Sequence, residues 1–492
     1  MKTRTTVIFI FCILLGLALI CIVFPEDGIS IGNIKLKFPT LSEALTPAPS
    51  TQTDSIREID KEVEQQIDAL HNAKQKEFDN FCKSSPTRIY MPDNNVEYLD
   101  PLFEALDNAR KKPLRILHYG DSQLECDRMT SAIRERFQSM FGGCGVGMIP
   151  AVQPIATYTL RQSISPSLNR YCAFGSADFR ASHNRYGPLA AMSRIDGQAM
   201  VSVNCCNNKK FQHSQKFQKV SVAMKGNGTI SLTTADSTFL LSANNAADST
   251  LRTYSVTLPT AVSKASLKFS GNMDVYSIML DGKSGIAMDN IPMRGCSGTI
   301  FTKIDKRSFA PFFNQHNVAL VILQYGGNSV PYLNGAKGIE AYKKQIKNQI
   351  RLFRQMAPKA RILFIGPSDM STRQGGVLQS YPHIEEVISA LRQAANEEGA
   401  AFWNMYKAMG GRNSMIEWVN ARPQLAGSDY IHFTPLGAEK MSQILFDTMQ
   451  LYYRFYRFRT GRALPEDTAE SQDSTKIKKQ QDSLTHTSHP AP

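Results

Sequence analysis

The sequence predicts an α/β protein: a parallel sheet covered on both faces by helices, with an antiparallel β-sandwich inserted into it. Near-continuous apolar strands alternate with amphipathic helices in the outer parts of the chain, which is typical of a parallel sheet buried on both faces. Between Ala199 and Asp281 the sequence changes to short alternating segments rich in Ser, Thr, Val, Asn and Gly. Because this stretch interrupts the α/β pattern after one strand and one helix, we interpret it as an insertion.

The first α/β strand is the segment RILHYG, which ends at Gly120. A helix follows, with its apolar residues on one face: Met129, Ile133, Phe137 and Phe141. Gly142 and Gly143 come directly after this face and are typical of a helix end. The α/β pattern therefore begins with this strand and helix and is interrupted after the two glycines.

The pattern returns after the insertion. Three apolar segments predict further strands: NVALVILQYGG, ARILFIG and AAFWNM. Two of them are followed by amphipathic stripes, one through Ile339, Tyr342, Ile346, Ile350 and Phe353, the other through Ile384, Val387, Ile388 and Leu391. The last helix is expected to begin near Pro435, since proline is favoured in the first turn.

These patterns divide the chain. We assign residues 96–150 and 285–460 to the two parts of the α/β domain, and residues 151–284 to the inserted β-rich domain. Residues 25–95 are expected to form a linker and a stalk helix, whose apolar positions include Ile56, Val63 and Leu70. The polar, aperiodic residues 461–492 predict a disordered tail.

The N-terminus carries a candidate membrane segment, residues 1–24. Lys2 and Arg4 precede an unbroken apolar run from Val7 to Phe24, long enough for a marginal transmembrane helix. No small-residue cleavage site follows it, and Leu19 and Ile20 before Cys21 are a poor match to a lipoprotein cleavage box. We therefore expect an uncleaved anchor in the inner membrane rather than a cleaved signal of a secreted protein. The positive charges predict that the rest of the chain lies on the periplasmic or extracellular side.

Charge and cysteine content exclude other classes of function. The formal net charge of +13 is diffuse, and no nucleic-acid-binding module is present. The densest basic cluster, Arg454, Arg457, Arg459 and Arg462, is either a solvated helix end or a contact with an anionic polymer or membrane. The nine cysteines lack metal-type spacing, and their disulfide connectivity cannot be deduced from the sequence. No metal or organic cofactor is expected.

Ser122 is the candidate nucleophile. It lies in YGDSQ, after the first predicted strand and at the start of the predicted helix, where open α/β sheets bind their ligands. Its backbone N–H, at a helix N-terminus, could face an oxyanion. The flanking residues do not form the G-x-S-x-G turn of α/β-hydrolases, and Asp-Ser is also a common helix cap, so the motif alone is weak evidence.

Two further polar motifs strengthen this interpretation. Asp429 and His432 precede the last helix in SDYIHFT; an imidazole can take the proton of a serine, and a carboxylate can orient that imidazole. Asn328 in QYGGNS follows the second apolar strand, so that its amide could point into the same crevice. Taken singly, His432 could be a structural loop residue and Asn328 part of a turn.

With these motifs in this order, the sequence resembles the SGNH (GDSL-like) hydrolase superfamily, and within it exported peptidoglycan O-acetylesterases and related O-acetyl-transfer enzymes. The resemblance covers about Leu114 to Gly147 and Gly285 to Met449, and includes FGGCGVGM, APKARILFIGPSDM and AFWNMYKAMGG. It implies a three-layer, flavodoxin-like fold, often with an inserted domain similar to a carbohydrate-binding module. One departure is GGNS, where relatives have a sequence like Gly-Thr-Asn-Glu.

The resemblance also implies the roles of the residues. Ser122 would be the nucleophile, His432 the base and Asp429 its orienting group. The oxyanion hole would consist of the Ser122 N–H, the Asn328 amide and the N–H of Gly295, with Gly298 as the alternative. The implied activity is removal of O-acetyl groups from a cell-envelope glycan such as peptidoglycan.

Two other functions remain open at the level of sequence. An O-acetyltransferase would use the same triad and pass the acetyl group to a glycan hydroxyl, with a membrane acyltransferase as acetyl source. A glycan-binding protein would retain the site without using it. The inserted domain would either hold polymeric glycan or form a purely structural lid.

Overall fold

The computed structural model describes residues 15–16, 19–20, 22–25, 29–31, 34–36, 38, 40, 75–244 and 251–462. The chain divides into two compact units, residues 1–58 and 59–492. In the first unit, β1 (Ile29–Ile31) and β2 (Ile34–Leu36) pair antiparallel. Within the described residues, no helix has the length and apolar character needed to cross a membrane. Most of the predicted anchor, the stalk positions Ile56, Val63 and Leu70, and the tail beyond residue 462 lie outside the described residues.

The second unit contains the remaining strands and all the helices named here. Its strands are β3 (Ile89–Tyr90), β4 (Leu114–Gly120), β5 (Gly147–Ile149), β6 (Leu160–Ser165), β7 (Arg170–Cys172), β8 (Ala191–Cys205), β9 (Phe217–Thr233), β10 (Thr238–Asn244), β11 (Arg252–Val262), β12 (Lys264–Asp281), β13 (Ile286–Pro292), β14 (Val318–Gln324), β15 (Arg361–Ile365), β16 (Ser371–Gln374), β17 (Val377–Ser380) and β18 (Ala401–Trp403). Its helices are α1 (Gln75–Ser84), α2 (Asp100–Asp107), α3 (Thr130–Phe141), α4 (Ala310–Gln315), α5 (Ala336–Met356), α6 (Ile384–Glu397), α7 (Met405–Ala408), α8 (Ser414–Asn420) and α9 (Pro435–Arg459).

A mainly parallel sheet forms the centre of the α/β part. Its described strands are ordered β13-β4-β14-β15-β18-β3, and only β3 runs antiparallel to its neighbour. The register places Gly120 at the end of β4 opposite Gln324 at the end of β14. The segments after these residues, which carry Ser122 and Asn328, therefore emerge side by side at the carboxyl edge of the sheet. The predicted α/β fold class is confirmed.

Helices cover this sheet in pairs. α3 packs against α9, and α5 packs against α6. The expected faces are buried: Ile133, Phe137 and Phe141 in α3, and Ile339, Ile346 and Phe353 in α5. This packing fixes the carboxyl ends of the strands, from which the loops that carry Ser122 and Asn328 begin.

The inserted strands form a separate antiparallel sheet between α3 and β13. β12 pairs with β9 along one edge and with β8 and then β5 along the other; β10 and β11 extend the sheet beyond β9, and β6 and β7 extend it beyond β8. These eight described strands are connected by hydrogen bonds into one antiparallel network, and the predicted antiparallel insert is confirmed. The sheet also begins at Gly147, earlier than Ala199, where the short alternating segments begin in the sequence.

The basic cluster at the end of α9 is paired with acidic residues rather than free in solvent. Arg457 lies 2.6 Å from Asp107, Arg462 lies 2.7 Å from the same carboxylate, and Arg459 lies 2.6 Å from Asp100. Arg454 is buried. These ion pairs connect the end of α9 and the residue Arg462 after it to α2. Three of the four arginines considered for an anionic polymer are therefore already paired with carboxylates, although Arg457 and Arg462 share that of Asp107.

Candidate active site

Ser122 lies at the turn that follows β4. The Asp121 side chain accepts a hydrogen bond from the Gln123 N–H at 3.0 Å and caps a 3₁₀ helix from Ser122 to Asp127. A side chain at Gly120 would overlap that of Leu124, so the turn requires glycine there. The α-helix predicted to begin at Ser122 begins only at Thr130, because Glu125 and Cys126 have non-helical backbone angles. Ser122 is consequently the first residue of a 3₁₀ turn rather than of an α-helix.

His432 and Asp429 lie in the loop before α9, called here the His432 loop (residues 427–434). The Gly427 N–H donates to the His432 carbonyl at 2.7 Å, and an isolated bridge joins Ala426 to Phe433. The Asp429 Oδ1 accepts hydrogen bonds from the backbone N–H groups of Ile431 and His432, both at 3.0 Å. The loop is thus closed by its own hydrogen bonds, which fix the two side chains relative to each other.

The three residues predicted as a triad lie in one hydrogen-bonded chain. Ser122 Oγ is 2.8 Å from His432 Nε2, and His432 Nδ1 is 2.7 Å from Asp429 Oδ2. Because the carboxylate accepts from Nδ1–H, the neutral imidazole presents an unprotonated Nε2 to the serine hydroxyl. Burial alone would raise the pKa of Asp429, but hydrogen bonds from the His432 ring and from backbone N–H groups lower it below its ordinary value. The lowered pKa favours the ionised carboxylate.

Asn328 reaches the same cleft, but its amide already has partners. Its Nδ2 donates to Asp121 Oδ2 at 3.1 Å and to the Cys296 carbonyl at 3.3 Å. The sequence predicts a free donor for an oxyanion, whereas in the structure both amide hydrogens are directed at acceptors. The longer of these two bonds, to Cys296, is the weaker one.

Gly295 and Gly298 differ in what surrounds them. Gly295 lines the cleft with Ser122 and Asn328, and a Cβ atom built on it would meet no other atom within 4 Å. The Gly298 N–H donates to Cys296 Sγ at 3.4 Å, and a Cβ there would overlap the Tyr325 ring. Of the two alternatives, the structure favours Gly295 as the residue facing the cleft.

The sequence analysis assigns no role to Asp121 or Gln123, although they flank the candidate nucleophile Ser122. Gln123 Nε2 donates to the Ile431 carbonyl at 2.7 Å, and its Oε1 accepts from the Phe433 N–H at 3.2 Å. The buried Asp121 has its pKa raised to about 6, mainly by burial, against the lowering effects of the Gln123 N–H, His432 and Asn328. The one signal in the sequence is that both residues adjoin Ser122 in YGDSQ. No residue pattern indicates the hydrogen bonds that their side chains make.

These side chains surround a cleft of about 750 Å³ at the carboxyl edge of the sheet. The Ser122, His432 and Asn328 side chains line it, together with Arg294, Met370 and Tyr381. Tyr332, on the short 3₁₀ turn after Asn328, is 81% exposed at the rim. A cleft of this size admits a small organic ligand.

Comparisons with known proteins give one family and several solved structures to which this chain is similar. Residues 272–440 match the GDSL-like lipase/acylhydrolase family, a range that includes Asn328, Asp429 and His432 and begins after Ser122. A solved peptidoglycan O-acetylesterase is 20% identical with a TM-score of 0.61, covering 75% of this chain and 99% of that chain. A family two carbohydrate esterase from Clostridium thermocellum, in complex with cellohexaose, is 11% identical with a TM-score of 0.26, covering 60% and 99% of the two chains. No curated protein matches.

The family match and the first of these structures confirm the predicted resemblance to the SGNH hydrolase superfamily and its fold. The matched family is one of esterases and acylhydrolases, and the hydrogen-bonded chain of Ser122, His432 and Asp429 is an arrangement suited to that chemistry.

Proposed function

We propose that this chain is a serine esterase that removes O-acetyl groups from a cell-envelope polysaccharide such as peptidoglycan. The observation that carries the proposal is the hydrogen-bonded chain from Ser122 Oγ through His432 to Asp429. The similarity to a structure named as a peptidoglycan O-acetylesterase supports an acetylated glycan as the substrate.

The proposed reaction has two steps. Ser122 Oγ attacks the carbonyl carbon of the acetyl ester while His432 Nε2 takes its proton, and the sugar oxygen leaves with that proton. Water then attacks the acetyl-serine, His432 takes a proton from the water, and acetate departs as Ser122 recovers its hydrogen. Asp429 stabilises the imidazolium that forms in both steps.

The negative charge on the carbonyl oxygen would be held by three donors in the cleft. These are the N–H groups of Ser122 and Gly295 and the amide of Asn328. We propose that the oxyanion replaces the Cys296 carbonyl as acceptor for one Asn328 hydrogen, since that bond is long at 3.3 Å, while the bond to Asp121 keeps the amide oriented.

The first test is removal of the nucleophile or the base. Ser122→Ala and His432→Ala should each abolish turnover of 4-nitrophenyl acetate and acetate release from O-acetylated peptidoglycan, because the two residues act as one unit. Ser163→Ala and His383→Asn, both at exposed positions, are matched controls that should keep wild-type rates. Most of the wild-type activity remaining in Ser122→Ala would refute the proposal.

The same substrate distinguishes hydrolysis from transfer. We expect purified protein to release free acetate from O-acetylated peptidoglycan at the same rate whether or not an acetyl-free glycan is added. Acetyl groups appearing on the added glycan instead of in solution would identify a transferase using the same triad.

We further propose that the reaction takes place on the periplasmic or extracellular side of the membrane. The proposal rests on Lys2 and Arg4 before the apolar run from Val7 to Phe24. Protease added to intact cells, after permeabilisation of any outer membrane, should digest the membrane-associated protein. A protected pool in the cytoplasmic fraction would refute this location.

A further inference from the structure

A second cavity lies next to the candidate catalytic cleft. It has a volume of about 490 Å³, and two residues, Glu125 and Arg294, line both the cavity and the cleft. Glu125 belongs to the 3₁₀ turn that begins at Ser122, and Arg294 directly precedes Gly295. The cleft and the second cavity are therefore adjacent, with these two residues between them.

These two residues form an ion pair that serves as the common wall. Arg294 Nε and Nη2 donate to the two oxygens of the Glu125 carboxylate at 2.6 Å and 2.7 Å. The Glu125 side chain is largely buried, whereas that of Arg294 is 68% exposed. The wall is thus a bidentate pair that neutralises both charges.

The interior of the cavity is mainly apolar and is built from both parts of the unit. Met148, Leu160 and Leu189 of the inserted segment line it, together with Ile291 and Pro292 at the end of β13. Such a surface favours an apolar group over a bare, hydrated sugar ring.

The charged residues in its lining do not balance. Glu125 is paired with Arg294, and the buried Asp127 is paired with Arg134 at 2.7 Å. The remaining charged residue is Arg170, whose Nε is buried and has no hydrogen-bond partner among the described residues. Its guanidinium lies 5.7 Å from the centre of the Phe174 ring, a contact that supplies no acceptor.

We propose that this cavity is a subsite for an apolar branch of the substrate that ends in a carboxylate, with Arg170 as the residue that binds the carboxylate. A buried N–H without an acceptor is costly, and a guanidinium matches a carboxylate in charge and geometry. The apolar walls would enclose the arm of the branch, and the shared wall places it beside the sugar whose ester is cleaved. The inference rests on the proposed esterase function and adds a determinant of substrate choice to it.

The test compares two forms of one substrate. O-acetylated peptidoglycan fragments carry free carboxylates, which a water-soluble carbodiimide and ammonium chloride at mildly acidic pH convert to neutral amides while the acetyl esters are retained. We expect wild-type kcat/KM, measured by acetate release, to be about tenfold higher for the free-carboxylate form, since hydrogen bonds to charged groups are stronger than neutral ones. In Arg170→Gln the ratio should approach one.

Two further variants control this result. Lys268→Gln removes a positive charge from an exposed position of β12 and should keep the wild-type ratio. Ile155 lies on a partly exposed loop that lines the cavity, so Ile155→Trp should fill the space and also reduce the ratio of the two kcat/KM values toward one. Measurement of Tm shows whether Lys268→Gln and Ile155→Trp fold.

The outcomes separate this inference from the proposed function. Turnover of neither form by wild-type protein would refute the esterase proposal itself. Equal turnover of both forms by wild-type protein, or an unchanged preference in Arg170→Gln and Ile155→Trp, would refute only the subsite.

Discussion

At the scale of single residues, Asp121 links the turn of the candidate nucleophile Ser122 to the candidate oxyanion site. Its two carboxylate oxygens accept from the Gln123 N–H and from the Asn328 amide, at 3.0 Å and 3.1 Å. The same burial that makes these bonds strong disfavours the charge, and the pKa of Asp121 is raised to about 6. The residue therefore orients Asn328 at a cost to folding stability that depends on pH.

The sign of this dependence gives a prediction for Asp121→Asn. Between pH 4 and pH 6 the folded wild type keeps a proton on Asp121 that the unfolded chain has released, so wild-type stability falls as pH rises through this window. Asp121→Asn does not lose stability in this way, so its Tm relative to that of wild type should rise from pH 4 to pH 7. The rise should correspond to about 3 kcal/mol in the free energy of unfolding. Any altered hydrogen bonds add an offset that does not vary with pH. A difference in Tm that is constant between pH 4 and pH 7 would contradict the prediction.

The second prediction at this scale concerns Asn328→Ala. Losing one oriented oxyanion donor typically lowers kcat by about a hundred- to a thousandfold. Because Asp121 Oδ2 would also lose its donor, we expect a lower Tm, but KM should change little. Steady-state kinetics with 4-nitrophenyl acetate measure the split, with Asn314→Ala on an exposed position as control. An unchanged kcat would remove Asn328 from the site.

The residues of the candidate site differ in how far the sequence could identify them. Ser122, Asp429 and His432 carry side chains that this chemistry needs, and they occur at the expected strand ends and before a helix. Asp121 and Gln123 could not be assigned roles, because their partners Asn328 and Ile431 are far away in the chain and are brought near only by folding. The engaged amide of Asn328 was unpredictable for the same reason.

At the scale of elements, the His432 loop is held in place by the turn that carries the candidate nucleophile Ser122. The Gln123 amide donates to one backbone group of the loop and accepts from another, at 2.7 Å and 3.2 Å. Arg128 adds a third bond, from Nη1 to the Phe433 carbonyl at 3.1 Å. The distance between Ser122 and His432 therefore depends on contacts between two loops as well as on the loop itself.

We predict that Gln123→Met lowers kcat by tenfold or more. The side chain keeps its length but loses both hydrogen bonds, so that the His432 imidazole is no longer fixed against Ser122, and small misplacements of reacting groups reduce rates strongly. Turnover of 4-nitrophenyl acetate measures the effect, with Gln212→Met at an exposed position as the control. A wild-type kcat in Gln123→Met would contradict the prediction. It would mean that Arg128 and the hydrogen bonds within the His432 loop are sufficient to position the imidazole.

The strands show which patterns predict structure. β4, β14, β15 and β18 are buried apolar runs and were predicted, whereas β13 was not. Asp289 and Asn290 interrupt its apolar pattern, but both have partners: Asp289 accepts from the Met148 N–H, and Asn290 accepts from the Thr130 hydroxyl. A polar residue with a distant partner can be buried in a strand, and the sequence alone does not reveal the partner.

At the scale of the whole molecule, the inserted sheet is joined to the α/β part by a common core. Tyr276 and Met279 of β12 belong to the same buried cluster as Leu117 and Tyr119 of β4. Removing the insert would expose this cluster, so a deletion cannot separate a glycan-binding role from a structural one. Point changes in the insert, such as those at Arg170, are the informative experiment.

A buried ion-pair cluster strengthens this junction. Arg115 of β4 bonds to Asp281 at the end of β12 and, at 2.5 Å, to Asp289 of β13. All three side chains are almost inaccessible to solvent, and Asp289 also accepts from the Met148 N–H of β5 at 2.7 Å. Burial raises the pKa of Asp281 despite the nearby Arg115 guanidinium, with Asp289 adding to the increase. The single positive charge of Arg115 thus lies between two buried carboxyl groups and can offset the negative charge of only one of them.

The last prediction removes that guanidinium. Arg115→Met keeps most of the side-chain volume but leaves Asp281 and Asp289 buried without a counter-charge, which should cost about 3–5 kcal/mol of folding free energy at pH 7. The loss should be smaller at pH 5, because Asp281, whose pKa is raised by burial, can then take up a proton more readily in the folded state. Adding Asp281→Asn and Asp289→Asn to Arg115→Met should recover part of the Tm, since the uncompensated charges are removed, and Arg161→Met at an exposed position is the control for loss of charge. A Tm for Arg115→Met equal to that of wild type at pH 7 would mean that the inserted sheet is held by its apolar contacts alone.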